Sequence, residues 1–305
     1  MNFKQANVGV IPPVPTILDE HRKFDRNAMK ILIDSLINKG VHGLFFLGTG
    51  GEFSQFSTEE REDIAEFCID YTNGRLPVWI GTGSNNTTET IRLTKHAAQS
   101  GTTGVIVINP FYSKLSEETL FAHYAAILEA TEIPVMLYNF PALTGQDLSP
   151  AFVSRLAARY SHLVGIKETV DQLSHIRQMI LEVKEINPAF SVFSGFDEYL
   201  LPTLAAGGAG AISASANFAP QLLLGVYSSF QNNNLAELLE HQRKVIEIPA
   251  IYSLDEPFIL TVKEAIRMTG VPIPTFCLPP SNIWDAQKEQ KLKEILTRAG
   301  VPLAE

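Results

Sequence analysis

From its beginning to about residue 219, the chain alternates between short apolar runs and amphipathic stretches. This alternation restricts its fold more than any other feature. Candidate strands occupy residues 8–17, 41–48, 77–82, 104–109, 133–139, 163–168, 190–195 and 209–214. They are apolar on both faces, as strands covered by helices must be, whereas half-exposed antiparallel strands carry polar residues at every second position. The stretches between them carry helix-start signals: Ser57-Thr58-Glu59-Glu60 reads as a capping box, and Asn86 with Glu89 repeats it. Ser149-Pro150 places a cap and then a proline at the first helical position. Eight such units predict a closed parallel TIM (β/α)8 barrel in preference to an open doubly wound sheet.

Beyond residue 219 the pattern turns helical, with candidates at Gln221 to Phe230, Leu235 to Ile248, Glu256 to Met268 and Trp284 to Leu296, and no convincing strand. The expected organisation is one structural unit. Residues 1–219 form the barrel core carrying the active site, and residues 220–305 form the last barrel helix and a C-terminal helical extension. A formal charge of −9 without a basic cluster excludes nucleic acid as the main partner. Met1-Asn2-Phe3-Lys4-Gln5 lacks an apolar leader core, and no run of about eighteen apolar residues occurs, so no membrane contact and a cytoplasmic location are expected. Cys68 and Cys277 lack C-x-x-C spacing and read as core residues. The seven histidines show neither H-x-H nor H-E-x-x-H spacing, so no metal is expected.

One of the thirteen lysines stands apart. Lys167 lies within Leu163-Val164-Gly165-Ile166-Lys167-Glu168-Thr169, which otherwise reads as a buried strand; the other twelve lie in polar or helical contexts assigned to solvated surface. Alternation puts Lys167 on one face with Gly165 and Thr169, pointing into whatever the strands enclose. Burying an ammonium without a partner favours its neutral form, and a neutral amine attacks carbonyls. An imine-forming enzyme and a salt-bridged core lysine both account for the residue at this stage.

Barrel enzymes react at the C-terminal ends of their strands. Strand two ends in Gly48-Thr49-Gly50-Gly51-Glu52, whose glycines let backbone amides approach an anion. No phosphate-loop or dinucleotide fingerprint accompanies it, and no G-x-S-x-G elbow marks a hydrolase. Strand four ends in Asn109-Pro110-Phe111-Tyr112 and strand five in Tyr138-Asn139-Phe140-Pro141. Either tyrosine alone fits a packing role with a wet hydroxyl. Together with a lysine and a threonine at neighbouring strand ends, Tyr138 can move protons at a carbonyl, with Thr49 and Tyr112 relaying them.

With these motifs in this order, the chain resembles the dihydrodipicolinate synthase / N-acetylneuraminate lyase family of class I pyruvate aldolases over nearly its full length. The resemblance implies that Lys167 forms an imine with a 2-keto acid, with no other cofactor, and that Tyr138 is the general acid/base. Thr49 and Tyr112 would complete a relay, Tyr112 being lent by a neighbouring subunit of a homotetramer, a dimer of dimers. The amides of Thr49 and Gly50, within the turn that includes Gly51, would hold the carboxylate, with Ile212 lining the pocket.

The aldehyde-clamping arginine of dihydrodipicolinate synthases is replaced here by Leu143, a loss of about 1.5–3 kcal/mol per charged hydrogen bond. N-acetylneuraminate lyases share that leucine but usually carry Ser-Thr before Gly-Glu in the strand-two turn. Tyr138 to Leu148 and Ser194 to Glu198 look most like the bacterial, YagE-type 2-keto-3-deoxygluconate aldolase branch. Asp197 and Glu198, after Gly195, would receive sugar-acid hydroxyls or else cap the next helix. The expected partners are therefore a small 2-keto acid and an aldehyde. Alternatives are synthesis of 4-hydroxy-tetrahydrodipicolinate, N-acetylneuraminate cleavage, dehydration or decarboxylation through the same imine, and a non-enzymatic 2-keto acid sensor.

Overall fold

A computed structural model describes residues 7–304; Met1–Gln5, read above for a leader, lie outside the described residues. Eight parallel strands form one sheet in the order β1-β8-β7-β6-β5-β4-β3-β2. They are β1 (Gly9–Val10), β2 (Leu44–Phe46), β3 (Val78–Gly81), β4 (Gly104–Ile108), β5 (Val135–Asn139), β6 (Leu163–Glu168), β7 (Ser191–Ser194) and β8 (Gly210–Ala211). A parallel bridge between Pro13 and Phe45 closes the ring, supported by hydrogen bonds from Phe45 N to Pro12 O at 3.0 Å and from Val14 N to Phe45 O at 2.7 Å. The result is the expected (β/α)8 barrel.

Strand one is shorter than expected because Pro12, Pro13 and Pro15 offer no N–H to a ladder, so pairing past Val10 is reduced to single contacts. Strand eight is also short: past Ala211 the chain turns at Ala214–Asn217.

The helices preceding the extension are α1 (Arg26–Asn38), α2 (Thr58–Thr72), α3 (Thr87–Gln99), α4 (Glu117–Glu129), a single turn α5 (Pro141–Thr144), α6 (Pro150–Arg159), α7 (Leu173–Ile186) and α8 (Leu200–Ala205). Ser57 and Glu60 make the capping box reciprocally at α2. At α3 the expected box is incomplete. Asn86 accepts from Thr88 N and Glu89 N, but the Glu89 carboxylate turns outward to the hydroxyls of Thr58, at 2.5 Å, and Ser84. Two hydroxyl donors outcompete one backbone amide, and Glu89 therefore staples α2 to the loop after β3.

The extension contains α9 (Pro220–Gln231), α10 (Leu235–Val245), α11 (Ile259–Met268) and α12 (Ala286–Arg298). Helix α10 stops short of the expected Ile248, and a tight 3-10 turn over Ile248–Ser253 begins around Pro249. Helix α12 starts two residues later than expected because Asp285 takes the cap, accepting from Lys288 N at 2.8 Å. Val245, Ile266, Leu292 and Leu296 share one buried core with the strands. Among the described residues, no helix is long and apolar enough to cross a membrane.

Candidate active site

At the C-terminal rim, β5 and β6 run in a register that pairs Tyr138 with Lys167. Alternation along β6 sends Ile166 outward into the core and Lys167 inward, where it is 4% exposed. Its Nζ lies 4.2 Å from the centre of the Tyr138 ring and 5.4 Å from that of Phe45. Among the described residues, Lys167 forms neither an ion pair nor a hydrogen bond of its own. Aromatic faces rather than a counter-ion surround this amine.

Beyond the Tyr138 ring, the hydroxyl meets Thr49 Oγ1 at 3.1 Å. Thr49 and Gly50 lie on a 3-10 turn, Thr49–Gly51, directly after β2. Gly48 before it is obligatory, since a Cβ there would sit 2.6 Å from the Phe45 ring. Thr49, Gly50, Tyr138, Lys167, Gly195 and Ile212 are thereby gathered around one cavity of about 220 Å3. That volume lies below the usual range for drug-sized ligands, roughly 300–1,000 Å3, and suits a small metabolite.

The rest of the lining was not among the expected site residues, although alternation puts Thr169 on the Lys167 face. Thr169 enters from the strand face that carries Lys167, with a buried hydroxyl that has no hydrogen-bond partner among the described residues. The alternation along β6 already carried that signal. Gly195 keeps room for it, because a Cβ at 195 would lie 2.0 Å from Thr169 Oγ1. Phe140, Phe196, Tyr252 and Phe258 supply aromatic wall beside Pro13 and Ala214, Tyr252 and Phe258 reaching in from the extension. No local pattern marks Tyr252 or Phe258, since their role follows from where the extension folds back.

Other expected residues lie elsewhere. Gly51 is buried behind the turn, its carbonyl accepting from Thr16 Oγ1 at 2.8 Å. Asp197 does not line the cavity: Ser215 Oγ donates to Oδ1 at 2.5 Å and Tyr252 to Oδ2 at 2.5 Å. Its carboxylate thus positions Tyr252 and reaches the cavity only through it. Burial and the Asp197 charge push the Tyr252 phenol well above its ordinary pKa, keeping the proton on this hydroxyl.

Glu198 is half-buried beside this pair and also lies outside the lining; burial, opposed by its own backbone and reinforced by Asp197, pushes its carboxyl up. Neither acid caps α8, whose first turn carries no side-chain cap. Leu143 is 56% exposed and lines a neighbouring cavity of about 280 Å3 with Thr49, Phe53 and Phe111. Tyr112 stands 98% exposed with φ of 78°, away from its own chain's Lys167 cavity. Phe111 N, donating to Asn85 Oδ1 at 2.7 Å, anchors the turn that holds it.

A profile of the dihydrodipicolinate synthetase family matches residues 6–299. YagE of Escherichia coli strain K12, provisionally named a 2-dehydro-3-deoxy-D-gluconate aldolase, is 47% identical over 288 residues, 94% of this chain and 95% of its own. YjhH of the same strain, provisionally named a 2-dehydro-3-deoxy-D-pentonate aldolase, is 45% identical over 293 residues, 96% of this chain and 97% of its own. A crystal structure of YagE in complex with pyruvate matches the fold with a TM-score of 0.95 at 46% identity, covering 97% of this chain and 99% of that one.

Proposed function

Because the chain belongs to the dihydrodipicolinate synthetase family, we propose that it is a Schiff-base aldolase that reversibly cleaves a 2-keto-3-deoxy sugar acid to pyruvate and an aldehyde. The observation that carries this reading is Lys167: a buried amine without a carboxylate partner, walled by aromatic rings and adjoining the paired hydroxyls of Tyr138 and Thr49. Nζ attacks the keto carbon and water leaves, forming an imine. In its protonated form the imine draws electrons from the C3–C4 bond as the C4 hydroxyl gives up its proton. Tyr138, having given its own proton through the Thr49 contact to the departing water, receives that C4 proton and returns it to C3 of the enamine. The aldehyde departs, the enamine takes a proton at C3, and water releases pyruvate. The amides of Thr49 and Gly50, at the start of the turn after β2, hold the substrate carboxylate.

The aldehyde fragment is uncharged. Lys167 is the cavity's one cationic residue among the described residues lining it, and Thr169 with Tyr252 offers hydroxyls where a sugar chain would extend. A carboxylated aldehyde would be left without a partner, which sets 4-hydroxy-tetrahydrodipicolinate synthesis aside. The working form is a cytoplasmic homotetramer in which a neighbour's Tyr112 enters the apolar cavity beside Thr49 and extends the proton relay. The exposure of Tyr112 and the apolar residues Phe53, Phe111 and Leu143 lining that cavity support this arrangement.

The test is product analysis with 2-keto-3-deoxygluconate, its pentonate relative and, in the reverse direction, pyruvate with aspartate semialdehyde. Release of pyruvate together with an equal amount of glyceraldehyde or glycolaldehyde is expected. A product that keeps the full carbon chain, or turnover only with aspartate semialdehyde, would refute the assignment.

A further inference from the structure

On the outer face of the sheet, the residues immediately after Tyr138 and Lys167 meet in a closed ring of polar contacts. Alternation turns Asn139 and Glu168 away from the cavity, and both are fully buried. Asn139 Nδ2 donates to Glu168 Oε2 at 3.1 Å and to Asp147 Oδ1 at 2.8 Å. From α7, His175 brings Nε2 to 3.1 Å from Asp147 Oδ2 and Nδ1 to 3.3 Å from Glu168 Oε2. The loop is tied in as well, since Leu148 N donates to Asn139 Oδ1 at 3.1 Å. Four segments therefore converge: the end of β5, the end of β6, the loop after α5, and the first turn of α7.

The ring has a charge requirement. It contains two carboxylates, and His175 is the only cationic group within ion-pair distance of either among the described residues. The Asp147 hydrogen bond and then the Glu168 carboxylate, 3.3 Å from Nδ1, push the imidazole up to about 10, so it is an imidazolium at neutral pH. Burial pushes the Glu168 carboxyl up, partly offset by His175. Asp147 lies at the rim; burial would raise its carboxyl, but the His175 and Asn139 hydrogen bonds outweigh this and hold it down. Without the imidazolium, Asn139 would be left between two uncompensated acids, and a buried charge that loses its partner moves or draws in water.

We infer that His175 is a positioning residue for the chemistry proposed above: by bridging Glu168 and Asp147 it fixes the ends of β5 and β6, and with them Tyr138 and Lys167, in reacting register. The inference rests on the aldolase reading, because it assigns His175 a role only if those two side chains react. A misplacement of about 1 Å at reacting groups can cost about 10²-fold in rate. His175 touches neither cavity nor substrate, so the effect appears in rate constants rather than in binding.

The experiment compares the intact protein with His175→Gln, His175→Lys and, as a control, His162→Gln. His162 makes an ordinary structural contact, Nε2 to Leu128 O at 3.0 Å. For each, the rate of pyruvate adduct formation under borohydride, the steady-state kcat and KM, and the melting temperature are measured. The expected result is that His175→Gln slows adduct formation and kcat by about tenfold or more with KM within about threefold. His175→Lys, which keeps a cation, should recover most of the loss, and His162→Gln should lower melting without changing kcat.

If His175→Gln does not fold, Asp147→Asn at the exposed rim carries the test, with a kcat loss of about threefold to tenfold expected. Wild-type adduct rate and kcat in a His175→Gln protein that merely melts earlier would overturn the inference, as would a His175→Lys protein no better than His175→Gln. Absence of an adduct on the wild type would instead overturn the aldolase reading on which it rests.

Discussion

Among the described residues two lysines are buried, and the contrast between their surroundings separates structure from chemistry. Lys263, on α11, is 0% exposed, and its Nζ donates to Glu52 Oε1 at 2.6 Å and to Phe276 O at 2.7 Å. Glu52 completes the clasp by accepting from Leu278 N at 2.6 Å. This clasp ties the extension to the turn that carries Thr49 and Gly50, and both Glu52 oxygens are engaged. Lys167 has the opposite surroundings, with aromatic faces, a cavity and no carboxylate. Burial alone therefore does not identify a reactive amine. What distinguishes Lys167 is burial without a counter-ion, next to space for a ligand.

The two sites should respond oppositely to substitution. Lys167→Ala is expected to abolish cleavage, by at least about 10³-fold, with melting little changed, since no buried partner is orphaned. Lys263→Met should do the reverse. It leaves Glu52 buried and unpaired, costing about 3–5 kcal/mol in denaturant titrations, while the folded fraction still forms a pyruvate adduct. Adding Glu52→Gln to Lys263→Met should restore part of that stability, and a strictly additive double variant would contradict the clasp.

Tyr138→Phe sharpens the comparison on the reactive side. Steady-state assays should show kcat reduced by about 10²-fold or more, whereas an unchanged rate would remove Tyr138 from proton transfer. Gly195→Ala forces a Cβ against Thr169 and should cost about 1–3 kcal/mol of stability or transition-state binding, visible as altered melting or kcat/KM.

The smallest effect concerns pH. His175 has a folded pKa of about 10 against an ordinary value of about 6.5, so its contribution is complete below about pH 6.5 and disappears as pH rises through about 10. The melting difference between wild type and His175→Gln should therefore be greatest near pH 6 and shrink toward pH 10. A constant difference would show that the imidazolium is not what the ring needs.

The barrel was legible because its signals are local: two-sided apolar strands, the caps at Ser57 and Ser149, and a lysine at an inward position of β6. Lys167, placed by strand alternation, falls on one cavity with Tyr138, read from its strand end, and Ile212, implied by the family resemblance. What escaped depends on distant contacts. Lys263 sits in an ordinary helical context, and its burial arises from Glu52, 211 residues away in sequence. Asp197 reads as a free acid until Tyr252, 55 residues on, claims its oxygen. Glu89 reads as half of a capping box until two hydroxyls from outside its helix compete for it.

The most direct measurement is peptide mapping of the protein after borohydride reduction with and without pyruvate. The account predicts a pyruvate-dependent adduct on the peptide containing Lys167, absent in Lys167→Ala, and none on the peptide containing Lys263. An adduct on Lys263, or equal labelling of surface lysines with Lys167 unmodified, would contradict it.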